Sequence, residues 1–187
     1  MPTINPTIQP NVTCVSTEGV KASYAVGTQI ASFAVSATDV WQIIGSASKT
    51  IKINRIQITA DASGLGTFDM TLVKRITANT GGTVAALVPI PYDSYDPVAT
   101  ATLQTYSVNP SALGTGTMIR CDSTALPGAA ATGYPYNPLI WDFGTRNVKC
   151  PTLRGVGESL AINLQMAVGQ TIPAGLTMYI DVEFTEE

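Results

Sequence analysis

The sequence predicts an all-β fold, a two-sheet antiparallel β-sandwich or jelly roll, with an extended arm at its N-terminus. About ten short runs alternate apolar and polar residues, which is the period of a half-buried strand. Turn-forming clusters of Gly, Pro, Asn and Asp separate these runs, and no stretch has a helical period. Many short strands with such turns are typical of sandwiches and barrels. We therefore predict an arm at residues 1–13 and a single β-sandwich domain at residues 14–187.

The predicted arm rests on three regularly spaced prolines: Pro2, Pro6 and Pro10. Proline fixes φ and biases the preceding residue toward extended geometry, so residues 1–13 should avoid helices. The segment has too few apolar side chains for a core of its own. It is therefore either a frayed terminus or an arm that lies on a neighbouring subunit. In the second case three apolar residues would anchor it: Ile4, Ile8 and Val12.

Short strands are predicted at Val12–Val15, Tyr24–Val26, Ile30–Val35 and Val40–Ile44. The next strand, Lys49–Ala60, is unusual because its isoleucines change parity between Ile53 and Ile56. Such a change predicts a β-bulge near Asn54–Arg55. The alternative is a strand whose middle is buried on both faces.

Two antiparallel hairpins are predicted from paired alternating runs. The first joins Lys49–Ala60 to Thr67–Arg75 through a glycine-rich turn. The second spans Gly155–Phe184, where two alternating runs flank a turn that contains one proline and two glycines. Each hairpin would place one face in a core, because a two-stranded hairpin by itself is marginal in water.

Further short strands are predicted at Thr83–Val88, Val98–Val108, Thr117–Cys121, Leu139–Gly144 and Val148–Leu153. Two loops between them, Pro89–Pro97 and Ser123–Pro138, are rich in small residues, proline and tyrosine. Exposed loops of this kind commonly carry contacts. Their tyrosines serve either subunit assembly, ligand stacking or local packing. These candidate interaction residues are Tyr92, Tyr95, Tyr134 and Tyr136.

The composition argues against most catalytic chemistry. The chain of 187 residues contains no histidine, which removes the usual general base and the commonest metal ligand. The acidic residues sit mostly at the polar positions of alternating runs, where a solvated sheet face is the simpler interpretation than a carboxylate pair. The loop Asp93–Asp96 is interpreted as a turn with Asx-type hydrogen bonds rather than a cation site. We predict no catalytic residue, cofactor or metal.

The charge and the cysteine content of the chain limit which partners and which cellular compartment we expect. Charged residues make up only 12% of the chain and the net charge is -3, so we expect no nucleic-acid partner. No apolar run is long enough to span a bilayer, and no signal peptide is apparent. The three cysteines, Cys14, Cys121 and Cys150, lack the spacing of a zinc site. We predict that they are buried structural thiols and that the protein is made in a reducing cytoplasm.

Several runs together resemble a group of small structural proteins of tailed bacteriophages and prophages: IIGSASKTIKINRIQIT, VPIPYDSYDPVATA, PLIWDFG and IPAGLTMYIDVEFTEE. The resemblance covers roughly residues 38–187 and rests on packing and turn motifs, so it transfers no functional residue. It implies a β-sandwich or jelly roll that decorates or cements a capsid. The implied partners are the major capsid protein and copies of the chain itself on the surface of a virion, and the expected oligomer is a trimer.

Three functions therefore compete at the level of sequence. The first is a capsid decoration protein made in the host cytoplasm, which the low charge favours because interface cores are depleted in charge. The second is a tail, baseplate or fibre module that binds a receptor or glycan through its tyrosine loops. The third, an enzyme that works with carboxylates, ranks last.

Overall fold

A computed structural model describes residues 21–31, 33–127, 138–144 and 149–187, and these residues form twelve β-strands and no helix. The predicted all-β class is confirmed. The strands are β1 (Ser23–Ile30), β2 (Thr38–Ile44), β3 (Thr50–Asp61), β4 (Leu65–Arg75), β5 (Thr83–Leu87), β6 (Ile90–Pro91), β7 (Thr102–Val108), β8 (Gly116–Pro127), β9 (Leu139–Asp142), β10 (Thr152–Arg154), β11 (Ser159–Met166) and β12 (Thr177–Glu186). The predicted arm, the predicted strand Val12–Val15 and most of the second tyrosine loop lie outside the described residues.

The strands form two antiparallel six-stranded sheets. Sheet A has the order β10-β3-β12-β1-β6, and β9 pairs with β3 on the same side as β10. Sheet B has the order β5-β7-β2-β11-β4-β8. The pairings nest within one another along the chain: β1 with β12, β2 with β11, β3 with β9 and β10, and β4 with β8. Strands β5 to β7 are inserted between β4 and β8 and extend the edges of both sheets.

The core lies between the two sheets and draws on both. Trp41 and Phe68 of sheet B and Tyr24 and Phe184 of sheet A are fully buried. The rings of Tyr24 and Phe184 stack with their centroids 5.3 Å apart. Burial of one such large side chain stabilises a fold by about 1.5–3 kcal/mol. Packing between sheets is therefore the main source of stability.

The predicted bulge in β3 is confirmed. Along the pairing with β12, Glu183 lies opposite Arg55 while the next residue, Phe184, lies opposite Ile53. Asn54 is the extra residue, and its carbonyl accepts a hydrogen bond from the backbone of Phe143 at 2.8 Å. The bulge lets the isoleucines on both sides of it face the core, which explains their change of parity.

Both predicted hairpins are wrong in their pairing. β3 belongs to sheet A and β4 to sheet B, and likewise β11 belongs to sheet B and β12 to sheet A. The two strands of each predicted hairpin therefore face each other across the core and are joined by an arch. The two arches meet, because the backbone of Ser63 donates to the carbonyl of Ala174 at 2.9 Å. Alternation defines which face of a strand is buried but not whether the neighbour lies beside it or opposite it.

Three predicted strand ends also differ. β1 contains the predicted strand Tyr24–Val26 and continues to Ile30, and the separate strand predicted at Ile30–Val35 is wrong, because its described residues after Ile30 form no strand. β7 begins at Thr102 rather than Val98, because the Glu186 carboxylate takes hydrogen bonds from the backbone of Thr100 and Ala101. β8 continues to Pro127, into a stretch predicted as loop, because it pairs with the full length of β4.

The prediction of buried thiols is wrong for Cys121. This side chain is exposed on β8, one of the two edge strands of sheet B. Cys150 is half-buried, and its thiol lies 3.7 Å from the Oδ1 atom of Asn54. Cys14 lies outside the described residues. An edge strand with one neighbour leaves more of its side chains in water than a central strand does.

Candidate functional site

Tyr92 and Tyr95 are the two predicted interaction residues for which the structure gives a position. Both are exposed, by 64% and 96% respectively. Their surroundings differ, because Tyr95 extends from a turn and Tyr92 lines a groove. The other predicted interaction residues lie outside the described residues: Ile4, Ile8, Val12, Tyr134 and Tyr136.

The turn that carries Tyr95 has the predicted Asx geometry. The Asp93 side chain accepts a hydrogen bond from the backbone of Tyr95 at 2.9 Å, and its carbonyl accepts one from Asp96 at 3.0 Å. These bonds occupy Asp93 and hold the tyrosine ring outward. Within the described part of the chain no three Cys, Asp or Glu side chains cluster closely enough to hold a metal ion.

Tyr92 forms one wall of a groove of about 270 Å³ on the outer face of sheet A. We name this depression the Gly27 groove after the residue at its floor. Three neighbouring strands, β1, β12 and β3, supply its other polar walls. It is lined by Gly27, Arg55, Gln57, Tyr92, Asp181 and Glu183.

The register of the three strands brings these residues together. Asp181 on β12 lies between Gly27 on β1 and Gln57 on β3 and is opposite both of them in the register. Glu183 lies opposite Arg55 in the next row of the same face. A Cβ atom at position 27 would lie 2.8 Å from the Oδ1 atom of Asp181. Glycine therefore keeps the floor open and the carboxylate accessible.

Among the described residues, Arg55 is the only basic residue that lines the groove. Its Nη2 atom donates to Oε1 of Gln57 at 2.7 Å. Its Nε and Nη1 atoms lie 3.6 Å from Asp142 and 3.7 Å from Glu183, which is too long for strong hydrogen bonds. Arg55 is thus attracted by two carboxylates but engages neither tightly, and its donors remain available.

Burial and the negative charge of Glu183 raise the pKa of the Tyr92 phenol. The phenol is therefore a neutral hydrogen-bond donor at neutral pH. The groove combines this donor, an arginine, an amide and two carboxylates with one face of an aromatic ring. Such a set can exchange hydrogen bonds with several hydroxyl groups and stack on an apolar ring face.

A second arginine–carboxylate cluster lies on the outer face of sheet B and is closed to solvent. Arg75 binds Asp39 through two hydrogen bonds of 2.5 and 2.6 Å, and both side chains are buried. Asn79 and Asn163 also donate to Asp39. The remaining Arg75 nitrogen donates to the carbonyl of Gly114. We name these residues the Asp39 network; its groups are satisfied internally, so it is structural.

The sequence singled out Tyr92 but not the Gly27 groove as a whole. Asp181 and Glu183 were predicted as part of a solvated face, and Arg55 was noted only for the bulge. The groove depends on the register between β1, β12 and β3, which alternation within one strand does not encode.

No protein-family model matches the chain, and a search of curated proteins finds no match. In the described residues no helix is long and apolar enough to cross a membrane.

Proposed function

We propose that this protein is a non-enzymatic structural component of a tailed-bacteriophage virion, a decoration or cement protein on the outside of the capsid. Its partners in this proposal are the major capsid protein and further copies of itself, as a trimer. The observation that carries the proposal is the nested strand pairing, taken together with the sequence resemblance to phage structural proteins.

The nested pairing supports a jelly roll as the finer description of the sandwich. In a jelly roll eight strands form two Greek-key sheets, and viral capsid and lectin domains use this architecture. Here the outermost pair is β1 with β12 and the innermost is β4 with β8, while β9 and β10 together take one strand position. Fold does not determine function, so the proposal also depends on the surface.

The surface around the β5 to β7 insertion is apolar and poor in charge. Val88, Ile90 and Val98 are exposed by 71%, 63% and 77%. Tyr95, on the same insertion, is 96% exposed. Protein interfaces are enriched in tyrosine and depleted in charge at their centres, so this surface suits contact with another protein. A specific interface buries at least about 1,000 Å², and several copies in one oligomer add avidity.

Quantitative mass spectrometry of purified virions tests the proposal, combined with labelling that locates the chain on the particle. We expect many copies per particle, distributed over the head. Absence from the virion, or a few copies at the tail, would overturn the assignment to the capsid.

A second candidate function, binding of a receptor glycan, is favoured by the Gly27 groove. Its polar groups and aromatic wall match the hydroxyl groups and ring faces of a sugar. A glycan array followed by calorimetry on any hit tests this function. Gly27→Val should abolish binding, because its side chain would collide with Asp181. Tyr179→Ala is the matched control, since Tyr179 is exposed on β12, the strand that carries Asp181, but does not line the groove.

A further inference from the structure

We propose that residues 2–13 of a second copy of this chain add as an antiparallel strand to the free edge of β5. The inference rests on the self-association that forms part of the proposed function. The accepting surface is the edge of β5, and the arm contributes residues 2–13.

The accepting surface is a strand edge that no other described strand covers. β5 is the last strand of sheet B and pairs on one side with β7. Its residues from Thr83 to Ala86 are exposed, including Val84 at 51%. A register shift affects only the junction of Thr83 and Val84, so the rest of the strand is regular. Natural proteins usually protect such an edge with charge, proline or a bulge, because it invites another strand.

The other edge strands of the two sheets carry that protection. β8 contains Arg120 and Asp122, β9 contains Asp142, β10 contains Arg154, and β6 is only two residues long and ends in Pro91. The sequence of β5, TVAAL, contains neither a charged residue nor a proline. Among the described edge strands, β5 is therefore the one best suited to accept another strand.

The donor segment has the sequence pattern of an amphipathic strand. Residues at odd positions are polar: Thr3, Asn5, Thr7, Gln9, Asn11 and Thr13. Residues at even positions are apolar: Pro2, Ile4, Pro6, Ile8, Pro10 and Val12. In an extended chain these two sets lie on opposite faces. The apolar face can pack on the exposed side chain of Val84 on β5.

The positions of the prolines define which edge of the arm can pair. Backbone N–H groups in a strand point alternately to its two edges, and proline has none to donate. Because all three prolines occupy even positions, every missing N–H lies on one edge of the arm. The other edge keeps all its donors. The arm can therefore join one strand and leaves a proline-interrupted edge outside, which suits a terminal strand.

Strand direction favours an arm from a second copy over the chain's own arm. The chain enters β1 beside Glu186, whose backbone donates to Ala22 and whose carboxylate binds the backbone of Ala101. This is the end of sheet B where Leu103 pairs with Leu87, the last residue of β5. By the direct route the chain's own arm would run parallel to β5. All pairings described here are antiparallel, and parallel pairing is less stable.

The test measures the oligomeric state of the purified full chain at micromolar concentration, by native mass spectrometry and light scattering. We expect an oligomer that becomes a folded monomer when residues 2–13 are deleted. Thr7→Pro removes a donor from the pairing edge and should weaken association at least tenfold. Pro6→Ala restores an N–H on the outer edge only and should leave association unchanged.

The acceptor has its own matched pair of variants. Val84→Lys places a charge on β5 and should weaken association as Thr7→Pro does. Val168→Lys is the control, because Val168 is 98% exposed in the arch after β11. A monomeric full chain, or unchanged association of the Thr7→Pro or Val84→Lys variant, would overturn the inference. A monomer that still coats capsids would do so while leaving the assignment to the capsid intact.

Discussion

The outer face of each sheet carries an arginine next to a carboxylate, but the pair on sheet B is buried and the pair on sheet A is partly exposed. On sheet B, Arg75 and Asp39 form a doubly hydrogen-bonded pair with side chains only 6% and 0% exposed. On sheet A, Arg55 lies 3.6 Å from Asp142, and their side chains are 38% and 57% exposed. The same residue types are therefore structural in one place and available to a ligand in the other. Burial and the completeness of hydrogen bonding make the difference.

The cause of the difference lies in the connections. Asn79 and Gly114, from the turns on either side of the β5 to β7 insertion, bond to the Asp39 network. On sheet A the short strand β6 is the one described part of the insertion that approaches the groove, through Tyr92, which follows it in the chain. The insertion therefore covers the Asp39 network on sheet B, whereas on sheet A it forms only one wall of the Gly27 groove.

Asp39→Ala should have the largest effect. It leaves Arg75 buried without its partner, and loss of one member of a buried ion pair costs about 3–5 kcal/mol. Urea denaturation measures this cost. Asp142→Ala is the control and should change the free energy of unfolding by less than about 1 kcal/mol. Equal effects of the two substitutions would contradict the contrast between the two faces.

Tyr106→Phe tests the rim of the Asp39 network. The Tyr106 hydroxyl donates to Gln42 at 2.8 Å and accepts from Asn79 at 3.0 Å. Its loss should cost about 1–3 kcal/mol, because buried polar groups lose a partner. Tyr179→Phe, at an exposed ring, should be near neutral in the same urea titration. A neutral Tyr106→Phe would mean that water replaces the hydroxyl.

Glu158 is an intermediate case, with its side chain 30% exposed. Burial opposes its ionisation, but hydrogen bonds from the Arg154 backbone and Lys74 outweigh burial and lower its pKa. A lowered pKa means that the stabilisation is present above the unfolded value of about 4.3 and is lost as pH falls through the folded value. Glu158→Gln should cost about 0.2–1 kcal/mol at pH 7. A cost that persists at pH 2 would contradict the ionic origin.

Arg55→Ala should have the smallest effect on stability, within about 0.5 kcal/mol. Its ion pairs are long and half-exposed, and such pairs contribute little. Thermal unfolding monitored by circular dichroism checks this expectation against Asp39→Ala. A large loss of stability would show that Arg55 is structural, as Arg75 is.

The faces of the strands were predictable from sequence, whereas their neighbours were not. The parity of four isoleucines predicted the bulge in β3 correctly. The same reasoning paired β11 with β12, because two amphipathic strands look alike whether they lie side by side or across a core. Tyr92 was recognisable as a loop residue, but the groove beside it requires Gly27, Asp181 and Gln57 in one row, and register is a tertiary property.

The nested pairing has a consequence for synthesis on the ribosome. β12 is the last of the described strands along the chain, yet it lies between β3 and β1 in the middle of sheet A. Sheet A cannot close until β12 has left the exit tunnel, so the apolar faces of β1 and β3 stay uncovered until then. Folds dominated by such distant pairings form slowly, and partly folded chains with unpaired strands tend to aggregate. Chaperones that hold nascent chains therefore have their longest opportunity to bind at these two strands.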